Sequence, residues 1–167
     1  MPRMIDLNAT TYWWVDAATI TNVAAVSAAV LTAAENISEY VVASTKIGPT
    51  GSDTISEKSI TDVANCQVPT VGNFEGTLVA FRDFAAGVPT ANDILTTVAS
   101  IAGVVGWIVR RQGFASTVAA VAAQPVEVYK FATDNPQPSA GSGEGYIKAT
   151  IPLLPQGVFN TVSVLVA

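Results

Sequence analysis

A chain of 167 residues suits one domain, with a core large enough to form without disulfides or metals. Half of its residues are hydrophobic, but only 13% are charged, compared with about 25% in an average globular domain. The net charge of −5 and the scarcity of basic residues exclude a nucleic-acid-binding protein, because clustered Lys and Arg supply most of that affinity.

The apolar excess consists of small and β-branched residues, with 26 Ala, 23 Val and 18 Thr. A smooth, charge-poor surface of this kind packs well against other protein, which favours a subunit of an assembly. A GC-rich genome alone would also raise the Ala and Val content, and this second explanation carries equal weight.

The amino-terminal residues 1–11 show no sustained hydrophobic period and are predicted to form an extended arm. They lack the apolar core of a signal peptide, so we expect assembly in the cytoplasm of the producing cell. A single domain is predicted from Tyr12 to Ala167, and its first strand begins at Tyr12. The adjacent Trp13 and Trp14 must face opposite sides of a sheet, which predicts one in the core and the other in an interface.

Two apolar segments have helical periodicity. Val23 to Glu35 is predicted to be either a helix or irregular. The stronger signal lies at Ile94 to Ala102, where apolar residues recur at helical spacing between a start signal at Pro89 to Asp93 and a stop at Gly103. This pattern predicts one helix packed on a sheet. Both segments fall short of the roughly 20 residues that a bilayer requires, so no membrane insertion is expected.

The middle of the chain predicts a protruding hairpin. Tyr40 to Ile47 and Thr54 to Asp62 are strand-like, and the turn residues between them place the hairpin tip at residues 47–53. A second turn is predicted over Asn65 to Asn73, followed by an alternating strand over Gly76 to Phe84. From the residues alone, the tip fits an ordinary solvent loop slightly better than a loop that docks on a neighbour.

The rest of the chain is predicted to form strands around one surface loop at Asn135 to Gly143. These strands span Val104 to Arg111, Pro125 to Thr133, Gly145 to Leu153 and Val158 to Val166. The sequence therefore predicts a mainly β fold: an antiparallel β-sandwich or barrel-like domain with one packed α-helix and a protruding long hairpin loop.

Catalytic and metal chemistry finds little support. The chain contains no histidine, the commonest general base and metal ligand, so its one cysteine, Cys66, has no activating partner. The Gly-rich residues 141–145 precede a strand and lack the lysine of a phosphate loop. Asp62, Glu75 and Asp83 fit solvated strand ends better than an acid pair. We expect no enzyme activity, no cofactor and no metal.

Several segments together resemble one protein family. SEKSITD and QVPTVGNFEG are followed by a strand that ends in FRDF, and later by WIVRR and YIKATIP. The combination resembles the major tail tube proteins of long-tailed (siphovirus-like) bacteriophages, particularly those that infect actinobacteria, over roughly Tyr12 to Ala167. The matching segments are Thr54 to Asp62, Gln67 to Asp83, Gly106 to Arg111 and Gly145 to Pro152.

The resemblance implies a structural virion protein whose six-membered rings stack into a tail tube, the conduit for DNA ejection. The implied partners are other copies of the chain, a tape measure protein, and tail terminator and tail tip proteins, while the genomic DNA passes without specific binding. Two alternatives stay open. One is another virion component of similar fold, such as a tail terminator or capsid-decoration protein, and the other is a small β-barrel binding module or enzyme.

The resemblance also implies that the hairpin tip, residues 47–53, docks on a neighbouring subunit. The basic dipeptide Arg110-Arg111 is expected to form ion pairs within or between subunits. With the two tryptophans, the candidate assembly residues are Trp13, Trp14, Ile47, Gly48, Pro49, Thr50, Gly51, Ser52, Asp53, Arg110 and Arg111. Acidic residues on predicted strands are candidates for the wall of the bore, where they would repel phosphate: Glu57, Asp62 and Glu127.

Overall fold

One large sheet dominates the structure. The computed structural model of the protein describes residues 9–56, 67–98, 101–139 and 145–167. Within these ranges the elements are, in chain order, β1 (Thr10–Asp16), β2 (Ala25–Ser27), α1 (Ala28–Ala33), β3 (Glu35–Asn36), β4 (Lys46–Ser56), β5 (Gln67–Phe81), β6 (Phe84–Ala85), β7 (Val88–Pro89), α2 (Ile94–Thr97), β8 (Val105–Gln112), β9 (Pro125–Thr133), β10 (Gln137–Pro138) and β11 (Lys148–Val166). The mainly β fold class is confirmed.

The strands of the main sheet run in the order β3-β1-β8-β9-β11-β5-β4, and neighbours in this order are antiparallel. Two short strands attach to β11: β10 pairs antiparallel near its beginning, and β2 pairs parallel near its end. Strands β6 and β7 form a separate small hairpin. Over the described ranges, β3 and β4 do not pair with each other, so the sheet is open and is not a closed barrel.

Strand β11 joins the two halves of the sheet. Its first part pairs with β5 from Lys148 to Leu153, and its later part pairs with β9 from Leu153 to Val164. The sequence predicts two strands here, whereas the structure has one continuous strand with two register shifts. Gly157, whose φ of +71° favours glycine, lies at the first shift. The glycine therefore marks an irregularity within one strand and not a turn between two strands.

The sheet buries apolar side chains on both of its faces. Along β8, Ile108 faces the first core, whereas Trp107 and Val109 face the second. Trp14 and Trp13 lie in the first and second core respectively, which confirms that they face opposite sides. The first core consists of Trp14, Ile37, Ile47, Phe74, Leu78, Ala80, Ile94, Val98, Ile108, Tyr129, Phe131, Ile151 and Leu153. The second consists of Trp13, Val15, Ile20, Val26, Leu31, Trp107, Val109, Val126, Val128 and Leu165.

Different elements close the two cores. The first core is covered by β4, β5 and α2, and the Phe74 ring of β5 lies at its centre against Phe131, with ring centroids 5.2 Å apart. The second core is covered by β2 and α1, which contribute Val26 and Leu31. The indole Nε1 of Trp107 donates a hydrogen bond of 3.1 Å to the Ala17 carbonyl, which holds the start of this cover in place.

The predicted hairpin tip is wrong. Residues 47–53 belong to β4, which pairs with β5 along its whole length with shifts between Thr50 and Thr54. Gly and Pro are typical of turns, but β4 is the last strand of the sheet, where proline is tolerated because one edge needs no ladder hydrogen bond. The predicted turn over Asn65 to Asn73 is likewise strand β5 from Gln67 onward. The connection itself, residues 57–66, lies outside the described residues.

Helix is scarcer than the sequence predicts. Within the described part of Ile94 to Ala102, which leaves out residues 99–100, the structure has the single turn α2, and Ile94 and Val98 are buried as expected. The alternative at Val23 to Glu35 contains the short helix α1. Tyr40 to Ile47 forms one isolated bridge at Val41 before β4 begins. No helix among the described residues has the length and apolar character to span a membrane.

The predicted arm and the predicted surface loop are only partly covered by the described residues. The arm, residues 1–11, overlaps β1, which begins at Thr10, and residues 1–8 lie outside the described ranges. In the predicted loop at Asn135 to Gly143, β10 pairs with β11, and residues 140–144 are not described. The single-domain plan itself stays a prediction.

Two glycines of the sheet lie directly against aromatic rings of the first core. A Cβ added at Gly76 would lie 2.7 Å from the Phe131 ring, and one at Gly106 would overlap the Trp14 ring. A methyl group at either position would force a large aromatic side chain out of its site in a densely packed core.

We expect Gly106→Ala to lower the free energy of unfolding by about 1–3 kcal/mol, because it overpacks the contact with Trp14. Gly51→Ala is the matched control: a Cβ there meets nothing within 4 Å, so the change should stay within about 0.5 kcal/mol. Denaturant unfolding of both variants measures the difference. Equal stability of the two would contradict the close packing at Gly106.

Candidate functional site

Arg110 ties three strands of the sheet together on the side of the first core. From β8, its Nε donates a 2.8 Å hydrogen bond to Glu127 Oε2 on β9, and its Nη2 contacts the same oxygen. Its Nη1 donates a 2.7 Å hydrogen bond to the Ile47 carbonyl on β4. Because β4 is the far end strand of the sheet, this contact shows that the sheet curls back over β8.

Glu127 is the shared acceptor of this cluster. Its Oε2 also accepts a 2.7 Å hydrogen bond from the Tyr129 hydroxyl. Burial opposes the charge of Arg110, but the attraction of Glu127 outweighs it and raises the pKa of Arg110. Burial and the hydrogen bond to Glu127 raise the pKa of Tyr129, which therefore remains a donor. The predicted ion pair of Arg110 is confirmed, and it lies within the protomer.

Arg111 points to the opposite face, where it is fully buried. Its guanidinium donates to the Val118 carbonyl at 2.7 Å and to Gln124 Oε1 at 2.8 Å, and it lies between the rings of Trp13 and Phe114. Among the described residues it has no carboxylate partner, so an ion pair of Arg111 stays a prediction. Burial lowers its pKa. Arg111 instead holds the loop between β8 and β9 in place, because its guanidinium donates hydrogen bonds to backbone carbonyls of that loop.

A second ion pair escaped the sequence analysis. Arg82 Nε donates to both carboxylate oxygens of Asp93, at 2.7 and 3.0 Å, and the Asp83 amide donates to Asp93 Oδ1 at 2.9 Å. Burial alone would raise the pKa of Asp93, but these hydrogen bonds outweigh it and hold the pKa below its usual value. The pair joins the end of β5 to α2. Eleven residues separate the partners, a spacing that no helix or strand pattern reveals.

The candidate assembly residues do not form one surface. Trp13 and Trp14 have only 4% and 9% of their surface exposed, which leaves little area for a neighbouring subunit. Ile47 is buried in the first core, and Gly48 lies beside Arg110. Only the later part of the segment, residues 49–53, is exposed along the edge strand β4. Its contact with a neighbour stays a prediction.

The candidate bore residues differ in how far the structure describes them. Glu57 and Asp62 lie outside the described residues. Glu127 is partly buried and neutralised by Arg110, so it does not offer an unpaired carboxylate. Within the described ranges, no group of three or more acidic or cysteine side chains is arranged to hold a metal ion.

The described geometry is thus a scaffold of paired charges with exposed strand edges. Comparison with known proteins gives its family: the whole chain, residues 1–167, matches a family described as phage tail tube protein. None of the curated proteins matches the chain. The resemblance found in the sequence is confirmed at the level of this family, while the assignment to long-tailed phages of actinobacteria stays a prediction.

We expect the Arg82–Asp93 pair to make stability depend on acid. Because the pKa of Asp93 is lowered on folding, its contribution is present above the unfolded value of about 4 and is lost as the pH falls through the lower folded value. Asp93→Asn should cost about 2–3 kcal/mol at pH 7, with a smaller difference from wild type below about pH 4.

Exposed Asp16→Asn is the matched control and should change the free energy of unfolding by less than about 0.5 kcal/mol. Urea unfolding between pH 3 and pH 7 measures both variants. A cost for Asp93→Asn that stays constant over this range would contradict the role of the charged pair.

Proposed function

Because the chain belongs to the phage tail tube protein family, we propose that its protomers form six-membered rings that stack into the tail tube, the conduit for DNA ejection. The protein is a structural, non-enzymatic component of the phage tail, and its family implies self-assembly. The ring, the stacking of rings and the central bore go beyond the family and are part of what we propose. We also propose that the phage is a long-tailed phage of actinobacteria and that its tube assembles in the host cytoplasm.

The open ends of the sheet carry this proposal. Strand β4, with 11 residues, has β5 as its one neighbouring strand within the described ranges, and β3 covers only two residues of β1 at the other end. Unpaired edges of this length attract further strands, so a protein that remains soluble must cover them. Joining β4 of one copy to the β3 end of the next would continue the sheet around a ring.

Charge supports this joint. Lys46 lies exposed at the start of β4 and Glu35 on β3, so these two residues offer opposite charges at the joint, while Asp53 of β4 accepts a hydrogen bond from Asn73. An exposed pair of this kind adds little affinity but favours the correct pairing over like-charged alternatives. A ring of identical copies repeats the contact at every joint, which is the closed symmetry that most homo-oligomers adopt.

The charge balance also suits a conduit. Each subunit carries a net charge of −5, so a ring of six is strongly acidic and repels the phosphates of passing DNA. Glu57 and Asp62 are the proposed bore residues, because Glu127 is committed to Arg110. A tape measure protein inside the tube, and terminator and tip proteins at its ends, are the further partners that this function requires.

Purified protein should form rings or tubes visible by negative-stain microscopy. Thr50→Lys with Ser52→Lys, both exposed on β4, should reduce ring formation, because lysines on an edge strand oppose pairing with another strand. Ala91→Lys with Asn92→Lys, both exposed in the turn before α2, adds the same two charges away from β4 and β3 and should leave rings unchanged. A wild-type monomer by light scattering at high concentration would overturn the proposed function, and intact rings of the edge variant would overturn the joint at β4.

The assembled wild-type tube should show no measurable affinity for duplex DNA at moderate salt. Glu57→Lys with Asp62→Lys should permit assembly but slow genome ejection, since each new cation can hold a phosphate. Filter binding and ejection kinetics of phage that carry the variant measure the two effects. Tight binding by wild-type tubes, or normal ejection through the variant bore, would contradict the electrostatic account.

A further inference from the structure

The end of β11 exposes a row of valines. Val162, Val164 and Val166 alternate with Ser163 and Leu165, which are both buried. Val162 is 80% exposed, so its side chain touches almost nothing in the protomer. The strand thus buries Leu165 and the polar Ser163 on one face and leaves three valines exposed on the other, a face that a strand at a solvent surface would normally fill with polar residues.

A neighbouring loop widens this row into a patch. The Leu165 amide donates to the Gln124 carbonyl at 3.0 Å, and the Ala123 amide donates to the Leu165 carbonyl at 2.8 Å, so the loop before β9 lies against β11. The same loop exposes Val121. We call Val121, Val162, Val164 and Val166 the β11-end patch. No charged residue follows Lys148 in the sequence, so the strand itself is neutral here.

A second apolar patch lies at the beginning of the same strand. Tyr146 is 81% exposed and packs edge-on against Phe81, with ring centroids 5.3 Å apart. Ile147 beside it is exposed, and its carbonyl accepts a 2.9 Å hydrogen bond from the Arg82 amide. The Arg82 guanidinium lies 4.7 Å from the Phe84 ring centroid. We call the exposed residues Phe84, Val88, Tyr146 and Ile147 the β11-start patch.

The two patches lie at opposite ends of the sheet. Between Leu153 and Val164, β11 follows all nine residues of β9, roughly 26 Å, and between Lys148 and Leu153 it follows β5 over roughly 17 Å more. A two-fold dimer would have to lay two copies side by side and pair both patches at once, whereas a stack joins one patch of each copy to the other patch of the next. The contact in a stack is heterologous and extends into a line.

We propose that the β11-end patch of one copy packs on the β11-start patch of the next, so that rings stack head to tail along β11. The contact rests on the proposed tube, whose family supplies the occupant, a second copy of this chain. The valines of the β11-end patch carry no charge, whereas Arg82 and Lys148 lie beside the β11-start patch at the Phe84 and Phe81 rings. Copies with a net charge of −5 therefore repel each other less at these two surfaces than elsewhere. Each patch is small, but a ring of six makes six contacts at once, which multiplies a weak affinity.

Single substitutions at the two most exposed residues test the contact. Val162→Asp and Tyr146→Asp each place a carboxylate where the other patch would bury it, so each variant should form single rings and no tubes. Thr32→Asp on α1 is the matched control, with the same added charge, and should form tubes like wild type. Circular dichroism and thermal unfolding should match wild type for all three, because the substituted side chains are exposed.

Mixing the two variants separates head-to-tail contact from other arrangements. Preformed rings of Val162→Asp keep an intact start patch, and those of Tyr146→Asp keep an intact end patch, so an equal mixture should give double rings that grow no further. Sedimentation and electron microscopy distinguish single rings, double rings and tubes. The expected result is single rings from each variant alone and double rings from the mixture.

Every other result overturns some part of this account. Tubes from either variant would show that its patch does not stack rings. Double rings from one variant alone would show that a patch pairs with itself. Monomers of either variant would place the patch inside the ring, and a mixture without double rings would contradict the pairing of the two patches. Wild-type protein that forms no rings would instead overturn the proposed function.

Discussion

The structure depends on one constraint: its central strands bury apolar side chains on both faces. Ile108 and Trp107, consecutive residues of β8, belong to two different cores. A sheet covered on both sides needs cover from elsewhere in the chain, and this protein supplies it with short segments rather than long helices. Arg110 and Arg111 continue the alternation, so one arginine binds a carboxylate on the first face and the other binds backbone carbonyls on the second.

This arrangement explains the charge-poor composition in physical terms. Among the described residues, charged side chains form ion pairs within the protomer, namely Arg110 with Glu127 and Arg82 with Asp93. Large apolar side chains nevertheless remain outside, at both ends of β11 and along the loops. A monomer in water gains nothing from such a surface, whereas an assembling subunit buries it against its neighbours. The composition therefore reflects assembly as well as the two cores.

Sequence reasoning succeeded where periodicity is local. Strand β9 has the predicted bounds, Pro125–Thr133, and the two adjacent tryptophans face opposite sides. It failed where long-range pairing decides. Residues 47–53 form an edge strand despite their Gly and Pro, because β5 supplies a partner that local propensity cannot reveal. The alternation of residues 158–166 places Val162, Val164 and Val166 on one face of a strand, but only the folded sheet shows that this face is exposed.

The central claim is that this sheet assembles into a tube through its exposed edges and apolar ends. A cryo-electron microscopy reconstruction of the assembled protein tests it most directly, because it shows the symmetry and the contacts together. The account predicts stacked six-fold rings with Val162 of one ring buried against Tyr146 of the next. A closed, non-tubular oligomer, or a tube in which both side chains face solvent, would contradict it.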